Sequence, residues 1–166
     1  MLAISGIPGA GKTEIARRLS EDLNAPVVQM DHYYRPAASP GAGVDFSDPR
    51  TLDVTAVCAA IDQHRAAGAQ IVIVEGIFAL TLDEIRSQAF STVWVDVPFD
   101  VGLARKLMRK LAEGADIGPS IRGYLERGRA GYLRHVLPAA ESADLRIDGT
   151  QPLDALIGPL IAQLRR

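Results

Sequence analysis

The chain has 166 residues, of which 18 are basic and 20 acidic, giving a formal net charge of −2, and 48% are hydrophobic. This length and apolar content fit one globular domain, residues 1–166, and the near-neutral charge excludes a general polyanion-binding protein, so we expect no nucleic acid partner. The single cysteine, Cys58, excludes an internal disulfide and is consistent with a cytoplasmic location. The longest apolar run, residues 71–82, contains Glu75 and is too short to cross a bilayer, so we expect no membrane partner.

Short apolar runs alternate with segments of helical periodicity along the chain. This alternation is typical of an α/β fold in which helices cover both faces of a parallel sheet. The predicted strands are residues 1–5, 26–30, 70–75, 92–97 and 143–147. The helices are predicted from apolar residues three or four positions apart: Ile15, Leu19 and Leu23; Val54, Val57 and Ile61; Leu103, Leu107 and Leu111; Ile121, Tyr124, Leu125, Tyr132 and Val136; and Leu153, Leu156, Leu160 and Leu164. We therefore expect a three-layer α/β domain on a five-stranded parallel sheet.

Two long stretches lack this periodicity: residues 33–50, rich in proline, glycine and alanine, and residues 112–120. Long irregular segments in a compact α/β domain are usually lids or binding loops. We predict a binding loop and a lid at these places; the alternative is that both are plain connectors.

Residues 6–13, GIPGAGKT, match the pattern G-x-x-x-x-G-K-[ST] and lie between a predicted strand and a predicted helix, as the mechanism of that motif requires. Its glycines allow backbone N–H groups to turn toward phosphate oxygens. The predicted nucleotide-binding residues are Gly6, Gly9, Ala10, Gly11, Lys12, Thr13 and Glu14. Lys12 is predicted to bridge the β- and γ-phosphates, and the Thr13 hydroxyl to bind Mg²⁺. The segment predicts a P-loop NTPase fold that binds ATP; the alternative is a glycine-rich turn with a chance lysine.

Three predicted strands end in an acid, at Asp31, Glu75 and Asp96. Ligands of parallel α/β sheets gather at the carboxyl ends of the strands, where the glycine loop also lies. A carboxylate there can bind Mg²⁺ or accept the proton of an attacking hydroxyl. Asp31 and Glu75 are the stronger candidates, and Asp96 is the weaker one because the VPFD that follows it can mark a solvated turn.

The order of motifs resembles the uridine kinase-like branch of P-loop small-molecule kinases, which includes phosphoribulokinase, pantothenate kinase and nicotinamide riboside kinase. After the glycine loop come "DHYY" at 31–34, "DFSDPRTLD" at 45–53, "IVIVEGIFAL" at 71–80, "GLARKLMRK" at 102–110 and "YLRHVLPAAESADLRI" at 132–147. Each later motif is weak alone, but their order after an intact phosphate loop is specific. The resemblance extends from the first strand to about residue 148.

The resemblance implies a role for several residues. Asp31 is the expected general base, and Glu75 helps to hold Mg²⁺. Arg105 and Arg109, four positions apart on one helix, are expected to reach the transferring phosphate. Tyr34 lies beside the presumed base and is expected to contact the acceptor; the alternative is that its ring only packs against the core.

The sequence also departs from the family pattern. Two lid arginines of typical uridine kinases are absent from "RKLAEGADIGPS", and Lys110 stands where they have an aspartate. The substrate-binding aspartate of the family falls opposite Ser47, and a one-residue shift would let Asp48 take its place. The acceptor is therefore not determined by the sequence.

These patterns predict an ATP- and Mg²⁺-dependent kinase with an acceptor-binding loop at about residues 33–52 and a short lid at about residues 109–122. The leading acceptor is a nucleoside such as uridine or cytidine. The alternatives are a sugar, nicotinamide riboside or pantothenate-like alcohol, or a regulatory ATPase without a small acceptor. The number of subunits stays open, a homo-oligomer included.

Overall fold

The computed structural model describes residues 1–36 and 44–164. Its strands are β1 (Leu2–Ser5), β2 (Val27–Gln29), β3 (Ile73–Glu75), β4 (Ser91–Asp96) and β5 (Leu145–Asp148). They form one five-stranded sheet in the order β2-β3-β1-β4-β5, and all four pairings are parallel. The predicted five-stranded parallel sheet is confirmed; the largest difference in bounds is in β3, which begins at Ile73 instead of residue 70.

The helices follow the predicted apolar periodicity, except for a short helix at Asp83–Arg86 that no predicted segment covers. They are α1 (Lys12–Leu23), α2 (Val54–Ala66), α3 (Asp83–Arg86), α4 (Phe99–Ala112), α5 (Gly118–Gly123), α6 (Arg129–Gly131) and α7 (Leu153–Leu164). Wider π-helical turns at Tyr124–Gly128 and Tyr132–Val136 join α5, α6 and a 3₁₀ turn at Leu137–Ser142 into one long helical stretch. Two further 3₁₀ turns lie at Met30–Tyr33 and Pro49–Thr51.

The centre of the sheet is buried on both faces. All four residues of β1, from Leu2 to Ser5, are buried, although successive side chains of a strand point to opposite faces. A strand of this kind needs a covering layer on each side. Helix α1 contacts α7 and strands β1 to β3, while α2 contacts α3 and β2. The expected three-layer arrangement is therefore confirmed.

The sheet order brings three functional segments to one edge. Strand β1 leads into the glycine loop, β2 leads into the 3₁₀ turn that carries Asp31, and β3 ends at Glu75. Because β2, β3 and β1 are neighbours and run parallel, their carboxyl ends lie side by side. Two of the three acids predicted at strand ends, Asp31 and Glu75, thus lie next to the glycine loop.

The predicted acceptor-binding loop has paired ends. Tyr34 and Leu52 form an isolated antiparallel bridge, and the Asp53 N–H donates to the Tyr33 carbonyl at 2.8 Å. Residues 37–43 of this loop lie outside the described residues. Of the predicted lid, residues 109–112 complete α4 and residues 118–123 form α5; its role as a lid stays a prediction.

Within residues 1–36 and 44–164, no helix has both the length and the apolar character needed to cross a membrane.

Candidate active site

The glycine loop closes against helix α4 through main-chain atoms. Gly9 has a φ of 81°, and a Cβ at that position would lie 2.0 Å from the Gly102 carbonyl oxygen. In turn, a Cβ at Gly102 would lie 2.7 Å from the Pro8 carbonyl oxygen. Both distances are far inside van der Waals contact, so glycine is needed on each side of this junction. The junction fixes α4 directly beside the loop.

Helix α1 begins inside the loop with its N-terminal amides available. Gly11 precedes the helix in a left-handed conformation, with φ 98°, and no described side chain caps the helix there. A helix N-terminus of this kind carries unpaired N–H groups and a positive partial charge, which favour an anion such as phosphate.

Lys12 is buried among the loop carbonyls. Its Nζ donates to the Ile7 carbonyl oxygen at 3.1 Å. Burial lowers the pKa of Lys12, and the carboxylates of Glu75 and Asp31 oppose that change. Lys12 thus interacts with a carbonyl and two carboxylates, and it can replace one of these interactions by a charge-assisted hydrogen bond to a phosphate oxygen.

Thr13 and Glu75, 62 positions apart, meet at the strand ends. The Thr13 hydroxyl donates to Glu75 Oε1 at 2.9 Å. Burial raises the pKa of Glu75, while the charge of Lys12 and this hydrogen bond oppose the rise. Hard oxygen ligands of this kind suit Mg²⁺, which usually takes only one or two protein ligands and completes its shell with phosphate and water. Elsewhere, the described residues contain no group of three or more His, Cys, Asp or Glu that is placed to hold a metal.

Most of the predicted site residues line one cavity of about 560 Å³. The glycine loop contributes Gly9, Gly11, Lys12, Thr13 and Glu14, which we call the glycine-loop wall. The other predicted residues that line it are Asp31, Tyr34, Glu75, Arg105 and Arg109. The structure therefore brings together residues from four separate parts of the chain, although their individual roles stay predictions.

Three predicted residues do not line the cavity. Gly6 and Ala10 are buried inside the glycine loop, where the Ala10 N–H donates to the Ile7 carbonyl at 3.1 Å. Asp48 accepts hydrogen bonds from the amide and the guanidinium of Arg50, which lower its pKa to about 2. Its role in substrate binding stays a prediction.

Helix α4 presents four cations to the cavity: Arg105, Lys106, Arg109 and Lys110. Arg105 donates to the Gly149 carbonyl oxygen at 2.8 Å, which ties it to the loop after β5. Burial lowers the pKa of Lys106, and the neighbouring charges of Lys110 and Arg109 lower it further. Lys106 and Lys110 were not predicted as site residues, although the spacing i, i+1, i+4, i+5 on one helix indicates a shared face.

The cavity lining also contains three aromatic rings, Tyr34, Phe46 and Tyr132, which we call the aromatic wall. The Tyr34 and Phe46 rings meet edge to face with centroids 4.9 Å apart, and the Tyr34 hydroxyl donates to the Phe46 carbonyl at 3.1 Å. Burial raises the pKa of both tyrosines, that of Tyr132 to about 12. Both phenols are therefore neutral donors near neutral pH. Sequence patterns missed Phe46, and they placed Tyr132 only on the apolar face of a helix.

Comparisons with known proteins indicate the family and the fold of the chain. A model of the phosphoribulokinase / uridine kinase family matches residues 42–154. The chain is 26% identical over 175 residues to a uridine kinase of Borrelia duttonii (strain Ly), covering 89% of this chain and 85% of that protein. It is 27% identical over 196 residues to a uridine kinase of Deinococcus deserti, covering 99% and 95%. In fold it is similar to a putative fructose transport system kinase from Silicibacter sp. TM1040, with a TM-score of 0.64, 20% identity and 88% of each chain covered.

Proposed function

This chain belongs to the phosphoribulokinase / uridine kinase family, and from that membership we propose that it transfers the γ-phosphate of ATP to a hydroxyl of a nucleoside such as uridine or cytidine. One observation carries the proposal: the glycine loop, the Thr13–Glu75 pair and the exposed Asp31 carboxylate face the same cavity. A nucleotide site alone needs the first two, whereas a kinase also needs a group that meets an acceptor. The expected location is the cytoplasm.

The glycine-loop wall is proposed to hold the phosphates of ATP. The open N-terminus of α1 offers backbone N–H groups, and Lys12 offers a charge fixed by the Ile7 carbonyl. Phosphoryl transfer depends mainly on positioning and on electrostatic stabilisation. Because the buried Lys12 is already oriented, little free energy is needed to reorient its charge when charge shifts on the phosphate during transfer.

Thr13 and Glu75 are proposed to hold Mg²⁺, because their oxygens meet beside Lys12 and one of them is a carboxylate. When bound, the ion neutralises phosphate charge. The buried Glu75 must be ionised for this purpose, and the charge of Lys12 favours that form.

Asp31 is proposed to orient the acceptor hydroxyl and to take its proton. The carboxylate lies on the cavity at the end of β2, and its charge acts on Lys12, Glu75 and Lys106, so it lies among the groups that bind phosphate. A carboxylate is a weak base for an alcohol. It suffices here because the loose transition state of phosphoryl transfer deprotonates the nucleophile late.

Arg105 and Arg109 are proposed to stabilise the charge on the transferring phosphate. They lie on the cavity face of α4, and the Gly9–Gly102 junction fixes this helix beside the glycine loop. Arg109 is 3.9 Å from Glu113 and largely exposed, so this weak pair leaves it free to turn toward phosphate.

The test is an ADP-release assay with ATP and Mg²⁺ across nucleosides, sugars, nicotinamide riboside and pantothenate, with an acceptor-free control. Strong stimulation by uridine or cytidine supports the proposal, and stimulation by another member identifies a kinase of a different alcohol. ADP release that no acceptor changes would favour a regulatory ATPase and contradict the proposal.

An Asp31→Asn variant tests the base directly. We expect its kcat to fall about 100-fold or more, with nucleotide binding kept, because positioned acid–base groups contribute about that much. Asp96→Asn is the matched control. It also ends a strand, but it pairs with Arg146 outside the cavity lining. Equal kcat values for the two variants would remove Asp31 from its proposed role.

A further inference from the structure

Building on the proposed function, we infer that the acceptor is recognised by the aromatic wall and by the Tyr132 hydroxyl, and not by a carboxylate that grips a pair of neighbouring hydroxyls. The acceptor class is then an alcohol with a flat or apolar body, in which a second hydroxyl contributes little. Among nucleosides, 2′-deoxyribonucleosides are expected to serve about as well as ribonucleosides.

The acids of the acceptor-binding segment are occupied by their own chain. Asp45 Oδ1 accepts from the Ser47 amide at 3.0 Å and from its hydroxyl at 2.6 Å. Asp48 accepts from the Arg50 amide at 2.9 Å and from its guanidinium at 2.6 Å. Asp53 accepts from the first turn of α2 at 3.1 Å. These carboxylates already stabilise turns and a helix start, so reorienting one of them to hold both hydroxyls of a sugar diol would disturb existing hydrogen bonds.

The remaining residues of the segment cannot supply an acid. Residues 37–43 read AASPGAG and contain neither aspartate nor glutamate. Among the described residues that line the cavity, the acids are Glu14, Asp31 and Glu75. Two of them belong to the phosphate and Mg²⁺ side, and Asp31 is assigned to the reacting hydroxyl.

Close packing holds the Asp45–Ser47 turn in place. Ser47 is 3% exposed and lies against Gly131, where an added Cβ would meet the Ser47 Oγ at 2.3 Å. The Gly131 main chain thus packs closely on Ser47, and this packing helps to hold the turn that orients the Asp45 carboxylate.

Tyr132 provides the polar group that the acceptor can reach. Its side chain lines the cavity although the residue is only 6% exposed, and its hydroxyl has no hydrogen-bond partner among the described residues. Burial keeps the phenol neutral, since its pKa rises to about 12. A phenol donor beside a cavity, without a partner among the described residues, can donate to a ligand oxygen.

The first test compares kcat/KM for uridine with 2′-deoxyuridine, and for cytidine with 2′-deoxycytidine. A site built to bind a hydroxyl rejects an analogue without it by about 10⁴-fold or more, whereas we expect ratios within about fivefold. A ribonucleoside preference of about 100-fold or more would overturn the inference. Phosphorylation of no nucleoside would refute the proposed function, and the inference would fall with it.

Asp48→Asn tests the alternative, in which Asp48 binds the ribose hydroxyls, in the same assay. If Asp48 leaves Arg50 to bind the ribose, this variant will lose activity on uridine and keep it on 2′-deoxyuridine. We expect instead that the ratio of the two kcat/KM values stays unchanged. A selective loss on uridine would identify Asp48 as the diol ligand and contradict the inference.

Tyr132→Phe removes only the hydroxyl and keeps the ring. We expect the KM for uridine to rise about tenfold while the KM for ATP stays constant, because one hydrogen bond is lost on the acceptor side. Tyr124→Phe is the matched control: its ring lies 6.4 Å from that of Tyr132 but is not part of the main cavity lining. Unchanged uridine KM in Tyr132→Phe, or equal changes in both variants, would remove Tyr132 from acceptor recognition.

Discussion

The glycine-loop wall and the aromatic wall line the same cavity, yet they differ in the interactions that they offer. The first comes from one continuous segment, and it works through charge, backbone amides and the start of α1. The second comes from three distant positions, Tyr34, Phe46 and Tyr132, and it works through ring contacts and neutral hydroxyls. The difference shows how one site can combine a fixed phosphate-binding side with a side whose chemistry depends on tertiary packing.

The largest effect is expected on the glycine-loop side, from Lys12→Ala. We expect kcat to fall by at least about 100-fold, because the variant loses a buried charge aimed at the phosphates. Tyr132→Phe, on the other wall, should leave the ATP side unchanged. The measurements are the initial rate and nucleotide binding by calorimetry.

Arg18→Ala is the control for Lys12→Ala. Arg18 lies on the same helix, but it pairs with Asp22 and Asp154 at the surface, where ion pairs contribute little. Comparable losses in the two variants would indicate general damage to α1 and not the loss of a phosphate contact.

A smaller effect is expected where α4 meets the glycine loop. In Gly102→Ala the new methyl group would lie 2.7 Å from the Pro8 carbonyl and 2.9 Å from Ile7 Cδ1. Overpacking of this kind costs about 1–3 kcal/mol, and it moves the cations of α4 away from the loop. We expect a lower free energy of unfolding in urea together with a lower kcat.

Gly123→Ala is the control and is expected to change stability in the opposite direction. Gly123 has helical φ and ψ of −60° and −34°, and an added Cβ there would meet no atom within 4 Å beyond its chain neighbours and its own helix, so alanine should raise the free energy of unfolding by about 0.5–1 kcal/mol. If both alanines changed stability in the same direction, the close junction at Gly102 would not be the cause.

The smallest effect is expected from the ion pair of Asp48. Arg50 lowers the pKa of Asp48 to about 2, so the pair contributes stability above the ordinary pKa of an aspartate, and this contribution is lost as the pH falls toward about 2. Because Arg50 is exposed, Asp48→Asn should lower the Tm by no more than about 2 °C at neutral pH. The difference between variant and wild type should disappear at low pH; a constant difference would contradict the pairing.

The fold and the glycine-loop wall could be predicted because their signals are local. The five apolar runs became the five strands, and one contiguous motif contains both the proposed phosphate-binding residues and the start of α1. Asp31 and Glu75 were also predictable, because parallel strands deliver their carboxyl ends to one edge. A single rule of topology thus linked residues that are distant in sequence.

The rest of the site could not be predicted because its signals are tertiary. Tyr132 has the apolar spacing of an ordinary core residue, and only packing shows that its ring borders a cavity. Gly102 opens the segment GLARKLMRK, but nothing in that segment indicates the close approach of Gly9 that requires a glycine there. Whether the Asp48 carboxylate is paired depends on the side-chain rotamer of Arg50, which the sequence pattern does not indicate.

The bridge between Tyr34 and Leu52 has a consequence for how such an enzyme can diversify. The two ends of the segment are joined by backbone hydrogen bonds, including one from the Arg35 N–H to the Thr51 carbonyl at 2.8 Å. Because the entry and exit points are fixed, we expect that the stretch between them can change in length or composition without moving the sheet. We therefore expect that grafting another sequence between these two anchor points changes the acceptor of the proposed kinase.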